Sequence, residues 1–165
     1  MAKASESDEE DNKVAVLEEA VFDLEQTEDL PLPQGYQGET KDGGVKHGKG
    51  VLMMSSGARY EGNFQDNMME GSGTFVWPSQ KYVGDFHNGR MHGYGIFIDP
   101  NGVKYEGEWK NGRKHGKGVE LFPTGAKYVG HFESGKRNGK GAYTWPNKSH
   151  YQGEFGNGKI HGEGS

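Results

Sequence analysis

The chain has no cysteine among its 165 residues, and its apolar runs are only a few residues long. The absence of cysteine excludes disulfides and cysteine-ligated zinc, and weakly favours a cytoplasmic location. A membrane-spanning helix needs about 20 consecutive apolar residues, so none is expected. No apolar segment typical of a secretory signal follows the first residue. Apolar residues make up only 31% of the chain, too little for a deep core between layers of helix and sheet.

Glycine and charge are distributed unevenly along the chain. Residues 1–34 contain no glycine and carry 2 lysines against 11 acidic residues. Residues 35–165 contain all 29 glycines and carry 17 basic against 13 acidic residues. This shift in composition predicts two parts, an acidic tail over 1–34 and a glycine-rich and aromatic-rich array over 35–165.

The acidic tail begins with a run of like charges from Ser5 to Asp11, which favours disorder. A narrow apolar stripe follows, with spacings of three and four residues typical of a short amphipathic helix over about 13–26. The stripe consists of Val14, Leu17, Val21 and Leu24. Because so short a helix is marginal alone in water, three alternatives stay open: a disordered tail, a helix resting on the array or on a partner, and a strand.

The array repeats with a period of about 23 residues. The repeats start at Tyr36, Tyr60, Tyr82, Tyr105, Tyr128 and Tyr151, and the sixth is incomplete. A glycine follows each tyrosine after two residues, and in the last five repeats an aromatic residue follows after four. These aromatic residues are Phe64, Phe86, Trp109, Phe132 and Phe155. A pair of glycines then comes 11 and 13 residues after the tyrosine, displaced by one residue in the first repeat.

Each repeat has the pattern of a β-hairpin. Tyr82, Gly84 and Phe86 share one face of a strand, and Asn88-Gly89 is a strong signal for a tight turn. Since 23 residues leave no room for a helix, the array is predicted to be all-β. The glycines leave space for neighbouring rings, which predicts an aromatic ladder through consecutive repeats. Its members are expected to be Tyr82, Phe86, Tyr105, Trp109, Tyr128 and Phe132, with Trp77, Phe122 and Trp145 from the return strands.

The most complete unit, from Tyr105 to Gly118, reads Tyr-Glu-Gly-Glu-Trp-Lys-Asn-Gly-Arg-Lys-His-Gly-Lys-Gly. It resembles the MORN (membrane occupation and recognition nexus) repeat, and the resemblance extends from Tyr36 to Ser165. The resemblance implies one elongated, single-layer antiparallel sheet of stacked hairpins with a groove along one face. It also implies a scaffold, since MORN arrays occur in ciliary radial spoke heads, junctional membrane complexes and cytoskeletal structures, and in front of the catalytic domains of some enzymes.

Two surfaces are candidate binding sites. The first is a groove of exposed aromatic rings beside carboxylates, suited to a partner helix with basic and apolar positions. Its predicted residues are Tyr82, Phe86, Tyr105, Trp109, Tyr128, Phe132, Glu108 and Glu154. The carboxylates alternate with the aromatic residues and are expected on the opposite face or at its rim. They could instead pair with basic side chains of the neighbouring repeat.

The second candidate is a basic edge along successive turns of the array. Its predicted residues are Arg113, Lys114, Lys117, Lys136, Arg137 and Lys140. Such a stripe could meet anionic lipid or an acidic peptide. A solvated edge that prevents aggregation is favoured over this reading.

The remaining polar patterns favour structural roles. One histidine recurs in most repeats beside a turn, where a hydrogen bond to turn backbone is expected; these are His47, His92, His115 and His161. His87, His131 and His150 fall in other registers and are expected at the surface. Because a linear array spreads equivalent groups apart, neither a metal site, a cofactor site nor a catalytic centre is expected. Nucleic acid is not expected as a partner either.

The sequence favours a non-catalytic scaffold that binds other subunits of a structural complex. The location expected is the cytoplasm and cytoskeleton, in a ciliary or flagellar axoneme and within a radial spoke head. The incomplete sixth repeat also predicts a homodimer through the C-terminal edge. Two alternatives stay open, a peripheral membrane tether that binds anionic phospholipid and the regulatory region of a larger enzyme.

Overall fold

The computed structural model describes residues 34–164. The chain divides into two units, Met1–Pro33 and Gln34–Ser165, and the second contains the repeats. The helix predicted over about 13–26 lies outside the described residues.

The described residues form twelve antiparallel strands and no helix. The strands follow one another in chain order across a single sheet, each paired with the next. They are β1 (Gly35–Lys41), β2 (Val45–Met53), β3 (Arg59–Gln65), β4 (Met68–Trp77), β5 (Gln80–His87), β6 (Arg90–Ile98), β7 (Lys104–Lys110), β8 (Arg113–Leu121), β9 (Lys127–Glu133), β10 (Lys136–Thr144), β11 (His150–Gly156) and β12 (Lys159–Gly164). The all-β prediction is confirmed, with two strands for each repeat.

The repeat tyrosines lie together on one face of the sheet, here called the aromatic face. Each aromatic residue four positions after a tyrosine packs edge-on between that tyrosine and the tyrosine of the preceding repeat. Phe86 is 5.1 Å from Tyr82 and 5.0 Å from Tyr60, measured between ring centroids. Trp109 bridges Tyr105 and Tyr82 in the same way, at 5.2 and 5.3 Å. The contacts continue from Tyr36 to Tyr151, so the predicted ladder of tyrosines and bridging rings is confirmed and extends to both terminal repeats. Trp145, which was also expected to contribute, is 36% exposed.

The second glycine of each return-strand pair makes room for a tyrosine ring. A Cβ atom on Gly95 would lie 2.5 Å from Cζ of Tyr82, and one on Gly118 would lie 2.6 Å from Cε2 of Tyr105. Real Cβ atoms do not approach so closely, so any side chain here would displace the ring. The rings thus occupy the space that the glycines leave open.

The first glycine of each pair has a different role, because it has a left-handed backbone. These glycines have φ angles between 55° and 73°, and they are Gly48, Gly71, Gly93, Gly116, Gly139 and Gly162. Such angles are costly for other residues. All six hairpins have a register shift, as between Gly84 and Phe86, and the extra residues lie on the return strand, so this glycine is part of the β-bulge.

The tyrosine hydroxyl stabilises the bulge. Tyr82 donates a hydrogen bond to the carbonyl oxygen of Asp85 at 2.9 Å, and Tyr105 donates one to Glu108 at 2.7 Å. The same bond recurs in all six repeats. A phenylalanine could fill the space but could not satisfy this carbonyl, which explains why tyrosine occupies the position.

The two glycine roles can be separated in β10. We expect Gly141→Ala to lower the free energy of unfolding by about 2 kcal/mol, because the new Cβ overlaps Tyr128. We expect Gly139→Ala to lower it by about 1 kcal/mol, because only its φ of 70° opposes a side chain and its nearest neighbour is 3.9 Å away. Urea unfolding followed by circular dichroism measures both values. Equal losses would contradict the assignment of separate roles.

The buried tyrosines predict sensitivity to alkaline pH. Burial raises the pKa of Tyr60, Tyr82 and Tyr105 well above the usual value for a tyrosine. A group whose pKa is raised in the folded state contributes stability that is present below its unfolded pKa, about 10, and is lost as the pH rises above it. We expect the free energy of unfolding to fall steadily above pH 10. Tyrosinate absorbance should then develop together with loss of β-sheet circular dichroism; titration of all the tyrosines in a folded sheet would contradict this.

Candidate functional site

The six rings predicted to line a groove form the core of the array instead. Tyr82, Tyr105 and Tyr128 are fully buried, and Phe86, Trp109 and Phe132 nearly so. Their edges meet one another, and the tyrosine hydroxyl groups donate to the carbonyls that face the bulge. The expectation of exposed rings is therefore corrected: these residues hold the sheet together, and other side chains form the accessible part of the aromatic face.

In repeats two and three, apolar side chains of the return strands cover the ladder. Met69 pairs across the turn with Phe64, and Met91 pairs in the same way with Phe86. Further along β4 and β6 come Phe75, Trp77 and Phe97, with Trp77 stacked on Phe75 at 4.1 Å between ring centroids. We call these five residues the apolar sector. All but Phe75 are partly exposed, so the sector presents sulfur and aromatic surface on the outer side of the core.

In repeats four and five, charged residues occupy the equivalent positions. Lys114 pairs with Trp109 where repeat three has Met91, and Arg137 pairs with Phe132 one repeat later. Glu120 pairs with Tyr105, and Phe97 pairs with the same tyrosine from the other side. We call Lys114, Glu120 and Arg137 the ionic sector.

The ionic sector is one connected network. Lys114 Nζ donates to Glu120 Oε1 at 2.6 Å, and Arg137 Nε donates to Glu120 Oε2 at 2.8 Å. The Glu120 side chain is 10% exposed, whereas those of Lys114 and Arg137 are 21% and 20% exposed. The carboxylate is thus nearly enclosed, while both cations keep part of their surface open.

Aromatic rings hold both cations in place. The Arg137 guanidinium lies 5.0 Å from the ring centroid of Tyr128 and 5.3 Å from that of Tyr143. Lys114 Nζ lies 4.8 Å from the ring centroid of Tyr105. A cation at this distance from a ring face is attracted by the ring quadrupole, so the ladder itself positions the charges.

The predicted groove carboxylates lie on the other side of the sheet, here called the opposite face. Glu108 follows the strand glycine at the bulge, and its Oε1 accepts a hydrogen bond from the backbone N–H of Lys117 at 2.9 Å. Asp85 accepts one from the N–H of Tyr94 in the same way. Glu154 holds the equivalent position in repeat six, with its Oε2 3.7 Å from the place that a Cβ atom on Gly162 would take. These carboxylates thus project from the opposite face, as their alternation with the aromatic residues predicts, and they do not line a groove together with the rings.

The six residues of the predicted basic edge do not form one stripe. Lys114 and Arg137 lie on the aromatic face, bound to Glu120. The other four, Arg113, Lys117, Lys136 and Lys140, are exposed on the opposite face. Two apolar side chains, Leu121 and Val129, are 40% and 44% exposed on that same face. Basic and apolar groups are thus combined there.

Among the turn histidines, His92 has the structural role expected. His92 Nδ1 accepts the backbone N–H of Asn111 at 3.4 Å. Glu70 takes the same place one repeat earlier and accepts the N–H of Asn88 at 2.9 Å. This hydrogen bond and a second one, between Glu70 and His87 Nδ1 at 2.8 Å, lower the pKa of the Glu70 carboxyl. His131 is exposed, as expected, and it also bonds the carbonyl of Lys140 across the bulge.

Between residues 34 and 164, no cluster of three or more histidine and acidic side chains is arranged to hold a metal ion. In the same part of the chain no helix is long and apolar enough to cross a membrane.

The MORN repeat family model matches six consecutive segments, residues 40–59, 60–81, 82–104, 105–127, 128–150 and 151–165. The chain belongs to the MORN repeat family. Five MORN segments begin at the predicted repeat tyrosines, whereas the first begins at Thr40, behind Tyr36. No curated protein is similar enough to the chain to count as a match.

The ionic sector of the MORN array is the feature that sequence reasoning missed. Its signal was present in the two-residue turn Asn111-Gly112, which pairs Lys110 with Arg113 and therefore Trp109 with Lys114. Counting outward from this turn places Lys114 on the aromatic face. The same count from Ser134-Gly135 places Arg137 there.

Proposed function

We propose that this MORN array is a non-catalytic scaffold that binds other proteins through its aromatic face. The observation that carries the proposal is the apolar sector: partly exposed methionine and aromatic side chains are fixed on a core of interlocked rings. Aromatic and methionine side chains are enriched where proteins bind one another. A single sheet with backbone bonds between all consecutive strands presents them with little ordering cost on binding.

We further propose that the scaffold belongs to a ciliary or flagellar axoneme, within the radial spoke head. The support is the resemblance of an array joined to an acidic segment to MORN proteins of such assemblies. The test is to express the tagged full chain in ciliated cells, extract the axonemes with detergent, and compare the wild type with the Met91→Ser variant of the apolar sector. Retention of wild type and loss of the variant is the expected result.

The matched control for this test is Val129→Ser, which exchanges an apolar side chain on the opposite face. Thermal unfolding of both variants checks that each remains folded. A wild-type protein that is washed out of the axonemes would reject the axonemal location. Equal retention of the two variants would reject the aromatic face as the docking surface.

The opposite face supports a second candidate function, a peripheral tether on anionic membranes. Lys117 and Lys140 lie on neighbouring repeats there, on the same face as the exposed Leu121 and Val129. Basic residues near anionic lipid contribute about 1 kcal/mol each, and this attraction is screened by salt. Flotation with phosphatidylserine vesicles tests it. Binding lost in the Lys117→Gln/Lys140→Gln variant and at high salt supports tethering, and its absence from wild type rejects it.

Self-association through β12 stays a prediction. Within residues 34–164, β12 pairs with β11 alone, so one of its edges has no strand beside it. An open strand edge can pair with another chain. Light scattering across a concentration series is the measurement, and a monomer at every concentration would reject the homodimer.

A further inference from the structure

The aromatic face of the proposed scaffold carries more positive than negative charge, because the carboxylates predicted to line it lie on the opposite face. We propose that the aromatic face recognises an acidic amphipathic segment of a partner protein. Apolar side chains of that segment contact the apolar sector, and carboxylates further along it contact Lys114 and Arg137. The inference rests on the proposed scaffold function and specifies its partner class.

Charge is the first observation that supports this partner. On the strands between β1 and β12, the aromatic face carries three cations, Lys46, Lys114 and Arg137, and one carboxylate, Glu120. The carboxylates of Glu108 and Asp85 lie on the opposite face and accept backbone hydrogen bonds. A partner approaching the aromatic face therefore meets positive charge. Complementary charge favours an acidic partner and opposes a basic one.

The second observation is that apolar residues occupy the equivalent positions in other repeats of the array. Repeats two and three place Met69 and Met91 where repeats four and five place Lys114 and Arg137. A buried ion pair stabilises a fold no better than well-packed apolar residues of similar size. The ionic sector is therefore not required to hold the ladder together, and recognition of a charged partner gives it a purpose.

The third observation concerns which groups a partner can reach. Glu120 is nearly enclosed and its two oxygens already accept bonds from Lys114 and Arg137. The two cations are about twice as exposed as the carboxylate. Lys114 directs one N–H at Glu120, and an ammonium group has three. The network holds both cations in place, yet not all of their N–H groups bind Glu120. An incoming carboxylate can accept hydrogen bonds from the others.

The spacing of the two sectors sets the length of the segment. Strands of a sheet are about 4.8 Å apart, so β5, in the middle of the apolar sector, is about 19 Å from β9, in the middle of the ionic sector. A helix advances about 1.5 Å per residue, which places the acidic positions about 13 residues from the apolar anchors. A segment of three to four helical turns therefore reaches both sectors.

The experiment uses two synthetic amphipathic helical peptides of about 18 residues. Both carry leucines along one face of the first half, and they differ only in a final cluster of four residues on that face, either glutamate or lysine. Fluorescence anisotropy measures binding to the full chain. We expect the glutamate peptide to bind at least about 10-fold more tightly than the lysine peptide. Because the whole chain has a net charge of −5, unspecific attraction would favour the lysine peptide.

A triple variant, Lys114→Met/Glu120→Phe/Arg137→Met, gives repeats four and five the apolar pattern of repeats two and three. Its control is Lys140→Gln, a substitution on the opposite face. Both variants lower the net charge of the protein by one unit. We expect the preference for the glutamate peptide to fall to about 2-fold or less in the triple variant and to persist in the control. Thermal unfolding shows that both variants are folded.

Three results would overturn the inference: equal binding of the two peptides, an unchanged preference in the triple variant, or binding of neither peptide to wild type. The axonemal retention of wild type and of Met91→Ser reports on the scaffold function separately. Retention that depends on Met91, together with equal peptide binding, would keep the scaffold and reject its acidic partner.

Discussion

Replacing Trp109 by alanine should divide the array into two units that unfold separately, and should lower its free energy of unfolding by about 3–5 kcal/mol. Trp109 is the ring that joins repeat four to repeat three. It packs against Tyr105 and Tyr82, lies 5.8 Å from Phe97 between ring centroids, and donates a hydrogen bond from Nε1 to the carbonyl oxygen of Gly95 at 3.2 Å. In a repeat array each unit is stabilised mainly by its neighbours, so one lost contact weakens both sides.

The division can be measured because a tryptophan lies on either side of position 109. Trp77 is in repeat two and Trp145 is in repeat five, so two versions of the variant, each retaining one of them, report on the two halves. We expect urea midpoints that differ between the two reporters. Trp109→Phe is the control, since Phe86 and Phe132 fill the same slot elsewhere. A single shared midpoint in the alanine variant would contradict the role assigned to Trp109.

The fold was predictable because every level of the sequence indicates the same structure. The tyrosine period fixes the repeat, the Asn-Gly turns fix the hairpin, and the glycines two residues apart indicate open space. Strand side chains alternate in direction, so Tyr82 and Phe86 had to share a face. The ladder follows from these rules and local spacing alone.

The contacts of the candidate site residues were less predictable, because the β-bulge shifts the register between the two strands of a hairpin. Glu108 lies between Gly107 and Trp109, where the register with β8 shifts, and its carboxylate turns back to a backbone N–H of the same hairpin. The spacing of the residues predicts the face on which Glu108 lies, but not the backbone N–H that its carboxylate binds. Trp145 shows a second limit: it was expected in the ladder, yet it contacts Tyr143 and remains 36% exposed, because no ring of a following repeat covers it.

The ionic sector was missed for a related reason. A lysine and an arginine near turns are typical of solvated edges, and Lys136, one residue before Arg137, is such a case. Only the register across the two-residue turn separates them, since neighbouring residues on a strand point to opposite faces. Residue type alone places Lys136 and Arg137 in one group, although they lie on opposite faces of the sheet.

Removing the Glu120 carboxylate should be the most damaging single change within the ionic sector. In Glu120→Ala, Lys114 and Arg137 are left facing each other over the ring ladder without a counter-charge. Removing one partner of a fully buried ion pair costs about 3–5 kcal/mol. Because both cations are about one-fifth exposed and can turn partly towards water, we expect a loss of about 3 kcal/mol here.

The comparison that isolates this charge effect is the triple variant Lys114→Met/Glu120→Phe/Arg137→Met, in which all three charges are absent. Replacement of a whole buried ion network by apolar residues is often neutral or stabilising, so we expect the triple variant to unfold at or above the wild-type urea midpoint. Added salt should partly restore Glu120→Ala, since it screens the repulsion between the cations. If the triple variant proved as unstable as Glu120→Ala, the charges would be essential to the fold itself, and recognition would no longer be needed to explain why repeats four and five have them.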